Sequence, residues 1–154
     1  MQEIKISFAP MEGVTTVTFR RIFREFFEGV DRFYTPFLAA TQTRHFKNRE
    51  KKEYLPYDPV LIPQVLTGKA DQFLWAARTL ADAGYAEVNL NLGCPAATVV
   101  TKKKGSGLLA DPEALDLFLE EIFREPDLPR ISVKTRIGFQ DPGEAERLGK
   151  IYGK

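Results

Sequence analysis

Strand-forming runs recur at a fixed interval in this chain: Ile4, Arg32, Val60 and Val88 each stand 28 residues from the next. The runs are residues 4–10, 32–37, 60–66 and 87–92, followed by one more at 130–137. Between them lie stretches with apolar residues at helical spacing. They are residues 16–27, with Val17, Ile22, Phe23, Phe26 and Phe27; 71–83, with Phe73, Ala77, Leu80 and Ala81; and 112–124, with Leu115, Phe118, Leu119, Ile122 and Phe123. Short strands alternating with amphipathic helices predict an α/β chain with a parallel sheet, because a helical crossover is what returns the backbone to lay the next strand in the same direction. A beat this regular fits a TIM (β/α)8-type barrel truncated to about five strands, since a full barrel has eight in roughly 250 residues. Residues 142–152 would begin a fifth helix. The 154 residues therefore read as the N-terminal portion of a barrel, either a fragment or a half-barrel completed by self-association.

Helix-end signals agree with these boundaries. Gly84 stands where a helix stop belongs, and Asp111-Pro112 and Asp141-Pro142 each place a capping residue before a first-turn proline. Residues 41–52 are polar and basic, and their composition does not decide between helix and loop. From Val88 to Ile131 the interval lengthens to 43 residues, a surplus of 15 that falls just after Cys94. In a (β/α) barrel the loops following the strands carry the chemistry, so the surplus suggests a segment that closes over substrate, unless it is a tolerated insertion.

Composition narrows the classes of function. Lys and Arg number 22 against 21 Asp and Glu, so no overall field draws the chain to nucleic acid and any such affinity must come from local patches. A single cysteine excludes an internal disulfide, a multi-thiolate zinc site and an iron–sulfur cluster, and no metal site is expected. The chain reads as cytoplasmic: the start lacks leader features, and no apolar run approaches the roughly 18 residues of a membrane span.

The sharpest local signal is Asn89-Leu90-Asn91-Leu92-Gly93-Cys94-Pro95, at the end of a strand and the head of the long loop. Asparagines at alternate positions share one face, where they bind a polar ligand or are satisfied by neighbouring backbone. Cys94 alone would read as a small buried hydrophobe, but its setting between Gly93 and Pro95 beside those amides points to chemistry. Ala9-Pro10-Met11-Glu12-Gly13 ends the first strand with a fixed backbone and a glycine that lets a ligand come close. Pro63-Gln64 sets an amide at the same level on the third strand. Lys134 lies in the run 130–137, and a lysine buried there needs an anionic partner. It reads as a ligand-binding or Schiff-base lysine, against a structural ion pair. Lys102-Lys103-Lys104-Gly105-Ser106-Gly107 offers cations and exposed backbone donors suited to phosphate, or else a solvated loop. Lys47, Arg49, Lys51 and Lys52 read as a solvated face, and His45 has no assigned role.

Taken together, Ala9-Pro10-Met11, Pro63-Gln64, the run 89–95, Gly105-Ser106-Gly107-Leu108-Leu109 and Lys134-x-Arg136-x-Gly138 resemble the tRNA-dihydrouridine synthases across essentially the whole chain. The resemblance implies an FMN-binding barrel that reduces selected uridines of tRNA with electrons from NADPH. Carried over position by position, Pro10, Met11, Gln64 and Lys134 would bind the flavin, Asn91 would lie between flavin and uracil, and Cys94 would be the proton donor. Lys102, Lys103 and Arg136 would contact the RNA substrate.

The chemistry suits these residue types. Hydride delivered to C6 of uracil leaves negative charge over C5 and the C4 carbonyl, which must be protonated. An ordinary thiol titrates at about 8.5, so a cysteine can serve as that acid at neutral pH without a base beside it. Lys134 would stabilise negative charge at the N1–C2 edge of the ring, with Gln64 on its amide edge. The target base must leave its stack, so a shaped pocket under a mobile loop is expected. In the family, a histidine on the next strand, phosphate-binding loops after the last strands and a helical tRNA-binding domain complete the site. All lie outside these 154 residues. Two other readings stand beside this one: a Schiff-base lyase using Lys134, and an inactive fragment that associates with RNA or with copies of itself.

Overall fold

Every strand among the described residues pairs in parallel with its neighbours. The computed structural model describes residues 4–154; residues 1–3, which open the segment without leader features, lie outside the described residues. In chain order the elements are β1 (Ser7–Phe8), α1 (Val17–Phe26), β2 (Arg32–Tyr34), β3 (Leu38–Ala39), α2 (Asn48–Tyr54), β4 (Leu61–Ile62), β5 (Gln64–Leu66) and α3 (Ala70–Asp82). Then follow β6 (Glu87–Leu92), α4 (Ala97–Val100), a 3-10 turn at Gly105–Leu108, α5 (Pro112–Phe123), β7 (Arg130–Thr135), a 3-10 turn at Pro142–Glu144 and α6 (Ala145–Tyr152). The strands form two sheets, β1-β2-β4 and β3-β5-β6-β7.

Proline divides the sheets. β2 and β3 are parted by Thr35-Pro36-Phe37, and β4 and β5 by Pro63, which has no N–H to give a ladder. Pairing continues across the breaks: Thr35 N donates to the Ile62 carbonyl at 3.2 Å, and Asn89 N donates to the Pro63 carbonyl at 2.9 Å. Strand follows strand in chain order, as the 28-residue interval predicts. Along β5 and β6, Val65, Val88, Leu90 and Leu92 are buried in one cluster with Phe73 and Leu80 of α3 and Leu115 and Ile122 of α5. Side chains alternate on a strand, so Gln64, Asn89 and Asn91 are left to the opposite face.

The helix ends behave as their residues require. The Asp111 carboxylate accepts from Ala114 N at 3.1 Å with Pro112 in the first turn, Asp141 accepts from Gly143 N at 2.7 Å, and Gly84 takes φ +100° just past α3. Of residues 41–52, only the end is helical. α2 is fixed by Glu50, whose carboxylate accepts from Ala39 N of β3 and from Lys47 N at the helix start. The stripe expected on residues 16–27 is corrected in part. Ile22, Phe26 and Phe27 are exposed, whereas Phe23, with Phe19, packs on Phe8 and Phe33. The buried residue of α1 is Arg20, which donates to the Thr15 carbonyl at 2.7 Å and to the Glu53 carboxylate at 2.9 Å, tying α1 to α2. Burial pushes the Arg20 pKa down, against the pull of Glu53.

Candidate functional site

Strand register gathers the polar face. Gln64 pairs with Asn89 across β5 and β6, and Asn89 with Ser132 and Asn91 with Lys134 across β6 and β7. Side-chain bonds follow that order. Gln64 Nε2 donates to Asn89 Oδ1 at 2.7 Å, Asn89 Nδ2 to Ser132 Oγ at 2.9 Å, and Asn91 Nδ2 to Gln64 Oε1 at 2.8 Å. The backbone N–H of Gln64 is held by Thr35 Oγ1 at 2.9 Å. Gln64 is 1% exposed and Asn89 2%, and no buried side-chain nitrogen or oxygen among the described residues lacks a partner. Asn89 is thus satisfied by side chains, and Asn91 by a side chain at its nitrogen and by neighbouring backbone at its oxygen. Each amide nitrogen carries two protons and uses one, so three N–H groups retain donor capacity.

Asn91 also shapes the turn beyond the strand. Its Oδ1 accepts from Gly93 N at 3.1 Å and from Cys94 N at 2.5 Å, which bends the chain at the strand end and leaves Cys94 half-buried at the head of the loop. The surplus residues form a packed segment. α4 and the 3-10 turn fold back, Leu108 and Leu109 are buried, and Ser106 bonds the Cys94 carbonyl. This corrects the expectation of exposed backbone donors: Ser106 N is bonded to Cys94 O and Gly107 N to Lys104 O, and Gly105, Ser106 and Gly107 are all buried. Lys102 and Lys103 are exposed on the outside of the loop. Burial, with Lys102 adding to it, pushes the Lys104 pKa down. The Lys103 carbonyl sits where a Cβ on Gly68 would come within 2.3 Å, so the loop rests on the turn between β5 and α3.

Lys134 departs from its expectation. It is exposed and forms no ion pair among the described residues, because β7 is the last strand of its sheet and its outer edge has no partner there. Within this chain Lys134 therefore has neither the anionic partner of a structural ion pair nor the burial expected of a Schiff-base amine. Its register beside Asn91 nevertheless puts a cation at the rim of the amide face. Arg136, just past β7, is also exposed. Pro10 is half-buried and Met11 exposed in a tight loop after β1, closed by Met11 N donating to Thr15 Oγ1 at 2.8 Å. The structure shows no hydrogen bond between these two and the amide network among the described residues.

Thr35 and Ser132 were missed as members of the network, whereas Ser106 lies in a motif the sequence already singled out. Ser132 had a legible signal, since it stands two residues before Lys134 and shares its strand face. Two cavities do not coincide with the amide face. One of about 510 Å³ is lined by Leu109, Phe139, Glu144 and Leu148, and another of about 220 Å³ by Glu12, Arg49, Glu50 and Glu53. In the second, burial pushes the Glu12 pKa up against the pull of Arg49. Among the described residues no cluster of His, Cys, Asp or Glu could hold a metal ion, and no helix is long and apolar enough to cross a membrane.

Comparison with known proteins gives one consistent match. The family model described as dihydrouridine synthase covers residues 7–151. A protein of Staphylococcus epidermidis named "Probable tRNA-dihydrouridine synthase" is 34% identical over 140 residues, covering 88% of this chain and 42% of the relative. A Staphylococcus aureus protein of the same name is 32% identical over 140 residues, with the same coverage. "Probable tRNA-dihydrouridine synthase 1" of Synechocystis is 29% identical over 134 residues, covering 86% of this chain and 37% of the relative. The chain thus spans about two fifths of the length of these relatives.

Proposed function

Because this chain belongs to the dihydrouridine synthase family, we propose that it contributes to an enzyme that reduces uridine in tRNA to 5,6-dihydrouridine, with FMN as bound cofactor and NADPH as reductant. The observation that carries this reading is the buried Gln64–Asn89–Asn91 network, with spare N–H donors on one strand face between Lys134 and Cys94. A ring that alternates carbonyl acceptors with nitrogens fits such a face. The parallel strands are read as the first part of a (β/α) barrel in the cytoplasm. The rest of the barrel and a helical tRNA-binding domain would lie in the length the relatives have beyond the match. The open edges of β1 and β7 would be covered by those later strands, or by a second copy when the chain stands alone.

When bound, FMN supplies the hydride for C6 of uracil. The chain's own residues then have separable tasks. Gln64, oriented by Asn89 and Asn91, offers a fixed amide to the flavin, and Pro10 and Met11 give it a rigid lip. Lys134 supplies a positive charge at the rim, which favours negative charge on the ring. Asn91 holds the backbone of Cys94 with one end of its amide and keeps a donor for the ligand at the other. Cys94 would give its proton to C5 of uracil. Lys102, Lys103 and Arg136 are exposed where they can meet phosphates of the RNA. The family match does not favour the lyase reading of Lys134.

The test uses a full-length protein containing these residues. Cys94→Ala is expected to keep FMN and lose uridine reduction by about 10²- to 10⁴-fold, the usual cost of one general acid. Dihydrouridine, measured by mass spectrometry of tRNA, within a few-fold of wild type would remove Cys94 from the mechanism.

A further inference from the structure

Both polar groups of the Cys94 backbone are held, and a single serine makes two of the three bonds. Asn91 Oδ1 accepts from the Cys94 N–H at 2.5 Å; at the other end, the Cys94 carbonyl accepts from Ser106 N at 3.0 Å and from Ser106 Oγ at 3.1 Å. Ser106 is 1% exposed, so its hydroxyl has no water to exchange this acceptor for. Two donors occupy both lone pairs of the carbonyl and fix the plane of the peptide that joins Cys94 to Pro95. The proline restrains the same bond from its own side, by fixing its φ and narrowing the backbone choices of the residue before it. What remains free at Cys94 is rotation of the thiol about Cα–Cβ.

The residues beside Ser106 make this approach possible. Gly105 has φ +55°, and a Cβ there would lie 2.6 Å from the Cys94 carbonyl oxygen and 3.2 Å from the Cys94 Cβ. A Cβ on Gly107 would lie 2.7 Å from the Val100 carbonyl oxygen. Glycine is needed on both sides so that the serine can reach across 12 residues to the cysteine. Leu108 and Leu109, buried immediately afterwards, anchor the far end. The long loop therefore closes on the cysteine that begins it.

We propose that Ser106 is a positioning residue for Cys94, fixing the carbonyl and with it the Cα–Cβ direction from which the thiol reaches substrate. This rests on the reading of Cys94 as the proton donor, and the two can fail separately. The chain has one cysteine, so alkylation by iodoacetamide reports on Cys94 alone. Ser106→Ala is expected to raise the alkylation rate about fivefold, the factor by which losing one ordinary hydrogen bond shifts the opening of the loop. Tyr85→Phe removes another buried hydroxyl-to-carbonyl bond, to Tyr54, well away from this loop, and is expected to leave the rate unchanged. An unchanged rate in Ser106→Ala, or an equal rise in Tyr85→Phe, overturns the proposal. Should Ser106→Ala not fold, hydrogen exchange of the unaltered chain decides the matter. The Cys94 and Ser106 amides should exchange as slowly as those of β6, and exchange at the rate of an unstructured peptide counts against the clamp. If Cys94→Ala leaves uridine reduction intact while the labelling result holds, the acid role falls and the positioning stands. If Cys94→Ala is inactive but labelling ignores Ser106, the positioning alone falls.

Discussion

Asn89→Ala tests whether the polar face is a built network or a patch that water can replace. The substitution removes the acceptor 2.7 Å from Gln64 Nε2 and the donor 2.9 Å from Ser132 Oγ. Ser132 is only half-buried and can turn its hydroxyl to solvent. Gln64 cannot, because it is 1% exposed and its Oε1 is already bonded to Asn91. An unpartnered buried N–H costs about 1–3 kcal/mol, and the small cavity left by the side chain adds about 1 kcal/mol. The sum is about 2–4 kcal/mol, which for a chain of this size lowers the melting temperature by about 6–12 °C. Calorimetry or thermal circular dichroism of the 154-residue chain reads this directly. A fall of less than about 2 °C would mean that water takes the place of Asn89 and that the orientation of Gln64 is not set by its neighbours.

Two further predictions rest on packing and on burial. Gly68→Ala forces a Cβ to within 2.3 Å of the Lys103 carbonyl oxygen, so the loop must lift. Proteolysis should then cut at Lys102–Lys104 at least several-fold faster, at an overpacking cost of about 1–3 kcal/mol; unchanged cleavage would show that the loop does not rest on this turn. Burial raises the Tyr85 pKa from its ordinary 10 to about 12. The folded state then holds a proton that the unfolded state releases first. Stability from this group is complete below pH 10 and is lost as the pH rises through 10 towards 12, and the urea midpoint of Tyr85→Phe should fall less steeply over that window. Equal slopes in the two proteins would refute the assignment.

The order of the strands and the helix ends were legible because each depends on local chemistry. β6 begins and ends where its run does, and Asp111, Pro112 and Gly84 act through neighbours only a few residues away. The breaks at Pro36 and Pro63 were harder to read, since apolar residues continue past them and only the missing N–H divides the strand. Residues 41–52 gave no helical stripe because what fixes α2 is a buried carboxylate, Glu50, bonded to a distant strand. The polar loop 102–107 reads as exposed, whether to phosphate or to solvent, yet Ser106 is buried and bonded to a residue 12 positions earlier. The exposure of Lys134 in this chain has a related reason: an apolar run signals burial only when the strand has neighbours on both sides, and β7 has one here. The amide face was visible as alternating asparagines, but its partners Gln64, Ser132 and Thr35 depend on register between strands, which one run of sequence does not contain.

The central claim is that the face running from Gln64 through Asn91 to Lys134 holds the flavin, and FMN affinity measures it most directly. Lys134 is exposed in the chain, so Lys134→Met should leave the melting temperature of the flavin-free protein nearly unchanged, where a buried cation would have shifted it. Its loss removes a charge-assisted contact, and in full-length protein the Kd for FMN should rise about 10- to 100-fold, with slower flavin reduction by NADPH. Equilibrium dialysis or quenching of flavin fluorescence gives the value. A Kd and a reduction rate equal to wild type would contradict the account and move the flavin away from this face.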